Sequence, residues 1–181
     1  LTHPDLTRTR LFMVPLDGDT RRNEQNQVSF TSYYPRNKIG TYNGDGSEFG
    51  ACLDEGGGEN AFLCQEEDDE LDDEGLFDLA GNNIAASSDV EGGTINTSST
   101  LQQSFGFALQ NAFDHKLFNR NNRLVGGASF DHGNARYHAD TQLGSLTADR
   151  GVAGAGVLLQ DAHVRLTTET DHYGLFLTDT Y

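Results

Sequence analysis

The stretch "LQQSFGFALQNAF", residues 101–113, decides the fold class. Its odd positions Phe105, Phe107, Leu109 and Phe113 are large and apolar, and its even positions Ser104, Gly106, Ala108 and Gln110 are small or polar. A period of two puts successive side chains on opposite faces, so this is a strand with one greasy face. A slip of one residue would exchange the two faces, so the pattern also fixes the register. No stretch of the chain repeats with a helical period.

The same alternation recurs on both sides. In "QVSFTSYYPRNKIG", Val28, Phe30 and Tyr34 oppose Ser29, Thr31 and Tyr33. In "RLVGGASFDHGNARYHAD", Leu124, Ala128 and Phe130 oppose Gly127, Ser129 and Asp131. "YGLFLTDTY" sets Tyr173, Leu175 and Leu177 against Gly174 and Thr178. "RLFMVPLDGD" is apolar on both faces, and Pro15 suits an edge or an end of a sheet. About five strands are legible in this way, and the chain is all-β.

The connections carry further information. "DGDTRRNEQNQ" and "FDHKLFNRNN" are short and polar, whereas the intervals at about 41–98 and 137–169 are long. Short and long connections in alternation fit a transmembrane β-barrel, with tight turns at one end and long loops at the other. Only 35% of the residues are hydrophobic, too few for an ordinary globule but suited either to a partly disordered acidic chain or to a barrel with an apolar exterior and a polar lumen. Five strands do not close a barrel, so the chain reads as a partial one.

Charge is concentrated in the first long connection. The formal net charge is −16, from 28 acids and 12 bases. Between Asp45 and Glu91 there are 16 acids and no Lys or Arg, which leaves 12 acids against 12 bases elsewhere. "CQEEDDELDDEG", residues 64–75, alone holds eight carboxylates. The charge therefore belongs to one segment, and the expectation is a solvated loop that contributes nothing to the fold. An acidic balance disfavours nucleic acid as a partner.

Taken in order, several of these pieces resemble the barrel of TonB-dependent outer-membrane receptors, in the branch that takes up iron complexes of the ferric-citrate type. They are "TSSTLQQSFGF", the "VGGASFD" of Val125 to Asp131, the "LTADRGV" of Leu146 to Val152, and the "GLFLTDT" of Gly174 to Thr180. Upstream, "KIGTYNGDGSEF" resembles the strand end that precedes a large variable loop in that family. The resemblance spans about residues 9–181, so the whole chain reads as a segment of receptor barrel without the family's plug domain. It implies a place in the bacterial outer membrane, contact with its lipid, and uptake of a ferric siderophore, another iron chelate or a similar nutrient. Coupling to TonB would run through the plug domain, which this segment lacks. Two other readings stand beside it. One is a small secreted or surface β-protein that binds calcium or a partner through its acidic loop, and the other is a small complete porin-like barrel.

Little in the sequence points to catalysis. The six histidines are scattered, and no nucleophile sits in a distinctive context, so the chain is not read as an enzyme. His132 and His138 share a face if their strand continues, where they would contact a metal chelate. "GVAGAG", residues 151–156, lacks the strand-to-helix setting of a phosphate loop. The frame beginning at Glu70 has carboxylates at alternate positions, but its twelfth residue is Gly81 where an EF-hand needs a bidentate Glu. Looser calcium binding would use Asp68, Asp69, Asp72, Asp73 and Glu74. Cys52 and Cys64 lack the neighbours of a zinc site, which favours a local disulfide over two free thiols. No residue is assigned to ligand binding. The chain opens on "LTHPDLTRTR", without a leader-like apolar run, and reads as a processed or internal segment.

Overall fold

A computed structural model describes residues 2–53, 59–67 and 70–180. The described residues are all-β, without a helix. Nine strands follow one another: β1 Asp5–Asn23, β2 Asn26–Gly46, β3 Phe49–Leu53, β4 Glu59–Glu67, β5 Glu70–Gly75, β6 Gly93–Leu117, β7 Arg120–Leu146, β8 Val152–Leu158 and β9 Val164–Thr180. One sheet has the order β1-β2-β6-β7-β8, with β9 also paired to β7, and a second has the order β3-β4-β5. The sheets are antiparallel and no closed barrel is formed among the described residues. The chain divides into two compact units, one of Leu1–Thr9, Ile39–Thr100 and Tyr137–Leu166, the other of Arg10–Lys38, Leu101–Arg136 and Thr167–Tyr181.

The second unit is built from hairpins with tight turns. Asn23 Oδ1 accepts the backbone N–H groups of Gln25 and Asn26 at 3.0 and 2.7 Å, which closes the turn between β1 and β2. The turn between β6 and β7 is Phe118-Asn119, with φ of 50° and 64°. Positive φ at both central residues matches the right-handed twist of the flanking strands. Asn adopts that conformation readily, whereas Phe rarely does. The short polar connections read from sequence are thus mostly strand, and each turn is only two residues long.

Side chains on β6 alternate as the sequence predicts. Phe105, Phe107 and Leu109 are 46%, 46% and 44% exposed, while Gly106 between them is buried. On the apolar face Phe105 meets Phe130 of β7 with ring centroids 5.6 Å apart, and Phe130 meets Tyr173 of β9 at 5.0 Å. On the opposite face the Tyr33 hydroxyl of β2 donates to Asp131 Oδ1 of β7. Those two strands flank β6, and the bond passes over Gly106, where any Cβ would strike both partners. The Phe176 ring likewise lies against Gly127, where a Cβ would stand 2.5 Å from Phe176 Cζ. Pro15 falls in β1, which among the described residues pairs only with β2 and so is an edge strand, the place where a sheet tolerates proline.

The first unit departs from the expected loops. The interval 41–98 begins with β2 still running to Gly46, contains β3 to β5, and ends inside β6, which starts at Gly93. The interval 137–169 contains the end of β7, all of β8 and the start of β9. These extensions carry polar residues on both faces, so the period-two hydrophobic signal vanishes although the backbone pairing continues. Hydroxyl contacts mark the pairing: Thr41 Oγ1 lies 2.7 Å from Ser98 Oγ, and Thr141 Oγ1 donates to Asn96 Oδ1 at 2.8 Å.

The acidic segment also supplies core. Leu63, Ile84, Val90, Leu143 and Leu159 form a buried cluster against which Phe49, Leu76, Ala86, Val157 and Ala162 pack. Leu63, Ile84 and Val90 come from between Asp45 and Glu91, so the expectation that this segment plays no part in the fold is wrong. Backbone bonds join the pieces: Leu63 N–H to Ile84 O at 2.8 Å, Leu76 N–H to Leu63 O at 2.7 Å and Ile84 N–H to Leu76 O at 2.9 Å. The apolar residues are spaced too widely among carboxylates for a charge count to register them.

Candidate functional site

In the second unit, one face of β7 and β9 changes character over a few residues. Phe130 packs on Tyr173, and two residues further along β7 the His132 Nδ1 lies 2.7 Å from Asp171 Oδ1. Two residues beyond, Asn134 Nδ2 donates to Glu169 Oε1 at 3.3 Å. The His132 ring remains 5.5 Å from Phe105, at the edge of the aromatic group. An apolar band of Leu175, Leu177 and Tyr173, which are 89%, 74% and 78% exposed, thus ends in a ladder of polar pairs.

In the first unit a further cluster gathers on β7, on the first residues of β9 and on His163 just before it. Asp140 Oδ1 lies 2.7 Å from His163 Nδ1, and the two oxygens of Asp140 accept from Arg165 Nη2 at 3.1 and 3.0 Å. Burial pushes the Asp140 carboxyl up, but hydrogen bonds and charge from Arg165 and His163 outweigh it and hold the group below the ordinary carboxylate value. His138 lines a cleft of about 260 Å³ beside Asp140 and Arg165. His132 and His138, expected to act on one face, therefore have different surroundings: His132 is engaged by Asp171, and His138 stands beside Arg165. The Asp140, His163 and Arg165 group escaped the sequence reading. Its one signal is the short spacing of His163 and Arg165, and His163 lies in the turn before β9 and not in the strand itself.

The calcium expectation rests on residues 68–74. Asp68 and Asp69 lie outside the described residues, and Asp72, Asp73 and Glu74 belong to β5. Among the described residues no group of three or more His, Cys, Asp or Glu side chains is placed to hold a metal ion. Cys52 of β3 and Cys64 of β4 are joined by a disulfide, with Cα atoms 4.9 Å apart. The pair is almost adjacent in the ladder, where Gly50 faces Cys64 and Ala51 faces Leu63. Both cysteines are buried.

The first unit also holds a cavity of about 550 Å³. Ser47, Glu48 and Phe49 contribute from the start of the three-stranded sheet, Phe77 from the segment after β5, and Asp161 from the turn between β8 and β9. The Ser47 hydroxyl is buried without a hydrogen-bond partner. Among the described residues, two carboxylates and no Lys, Arg or His line the space.

No family model matches the chain, and no curated protein matches it.

Proposed function

We propose that the chain is a barrel segment of an outer-membrane receptor of the TonB-dependent kind, which takes up a ferric chelate or similar scarce nutrient. The observation that carries this reading is the second unit's apolar face. Phe105, Phe107 and Leu109 on β6 and Tyr173, Leu175 and Leu177 on β9 are exposed to an extent that water does not favour and lipid does. The polar Tyr33–Asp131 bond on the opposite face suits a lumen. A membrane barrel satisfies every backbone group by pairing each strand on both sides. The reading therefore requires further strands beside β1 and β9, each of which pairs with one neighbour here. The alternative, a secreted β-protein with an acidic binding loop, accommodates the Cys52–Cys64 disulfide equally well but leaves the apolar face without a covering.

The test uses nitroxide labels on Phe107→Cys and Ala108→Cys variants of the chain reconstituted in lipid. Position 107 should be quenched by lipid-soluble oxygen and position 108 by a water-soluble nickel chelate. Equal accessibility of the two positions to the nickel chelate would refute membrane insertion.

A further inference from the structure

We infer that the cavity of the first unit is a binding site for a small organic cation, and not for an anionic chelate. It is an open cleft of about 550 Å³, a volume in the range of small-molecule sites, with Glu48 and Asp161 exposed at its rim. The lining combines the aromatic residues Phe49 and Phe77 with the carboxylates Glu48 and Asp161, and among the described residues it contains no basic side chain. Aromatic faces and carboxylates attract an ammonium group, whereas both repel a carboxylate or phosphate.

The wider field acts in the same direction. Phe49 belongs to β3, which pairs with β4, and that sheet with its connections lies within the span of 16 acids and no Lys or Arg. Such a one-signed segment raises the local concentration of cations and lowers that of anions. A ferric-citrate-type complex, itself anionic, meets repulsion here from both the lining and its surroundings. The acidic segment is then a filter and a wall of the site.

This inference deepens the transport reading and rests on it only for the biological role of binding. The test is calorimetry on the full chain in detergent micelles with three probes: choline, its uncharged isostere 3,3-dimethylbutan-1-ol, and ferric citrate. Choline should bind at least about tenfold more tightly than the isostere, and added salt should narrow the difference. A Glu48→Gln/Asp161→Asn double variant should abolish the preference for charge while keeping the Cys52–Cys64 disulfide intact. Equal binding of choline and isostere, binding of ferric citrate, or binding of none of the three would overturn the proposal. Because it does not depend on lipid, a negative result here leaves the labels at 107 and 108 to decide the membrane question separately.

Discussion

Single residues set the faces of the sheet. Gly106 lets a hydrogen bond cross a strand: Tyr33 and Asp131 belong to strands on either side of β6 and meet only because no side chain stands between them. Gly106→Ala should destabilise the chain by roughly 1–3 kcal/mol, the range for overpacking a filled site. Urea titration would read the loss, and in a Tyr33→Ala background the same substitution should cost much less. If the cost were equal in both backgrounds, the strain would not arise from Tyr33. Asp78 is a second local device. Its carboxylate accepts the backbone N–H groups of Asn82 and Ala80 at 2.9 and 2.8 Å, along with the Asn82 side-chain amide. The Asn82 backbone and side-chain bonds, and then those from Ala80 and Gly81, hold its carboxyl below the ordinary carboxylate value. A lowered folded-state pKa means the turn's stabilisation is present above that ordinary value and is lost as pH falls through the depressed one. Hydrogen exchange at Ala80 and Asn82 should therefore lose its protection only in strong acid. Asp78→Ala should lose it at every pH.

At the level of elements, legibility followed apolar contrast. The part of β6 around Phe105, Phe107 and Leu109 is readable because these alternate with small residues, and β9 because Tyr173, Leu175 and Leu177 recur at every second position, although Phe176 stands between the two leucines. The parts of β2, β6 and β7 around Thr41, Thr97, Ser98 and Thr141 are not, since these residues bond through hydroxyls and leave no hydrophobic period. The candidate site was less legible still. Glu48 and Asp161 are far apart in sequence, and only the fold brings them around one cavity. The three-stranded sheet was hidden by its own charge, although Cys52 and Cys64 hinted at order within it. That disulfide spans a sequence separation of 12 and should contribute roughly 2–3 kcal/mol by restricting the unfolded segment. In a Cys52→Ser/Cys64→Ser variant, amide exchange should accelerate in β3 and β4. Exchange at 103–109 should stay as it was. Acceleration at both places would show that the bond stabilises the chain globally.

For the whole molecule, two opposed surface properties govern behaviour in solution. Exposed Leu11, Phe12, Leu16, Leu175 and Leu177 favour association in water. The net charge of −16 opposes it. The charge is carried by the acidic segment and the greasiest strands are β1 and β9, so repulsion and attraction reside in different parts of the chain. Without detergent the protein should self-associate, and salt should promote this by screening the repulsion. Replacing the eight acids of residues 66–74 by Asn and Gln would take the net charge from −16 to −8. The strands should survive the change, because adjacent carboxylates repel by roughly 1 kcal/mol per pair even in water and their removal relieves that strain. Far-ultraviolet circular dichroism should thus be unchanged, while light scattering in low-salt buffer should rise to the level that the parent chain reaches only at high salt. Loss of the β signal would mean that the carboxylates hold the first unit together through bound cations, and calcium added to the parent chain should then raise its melting temperature.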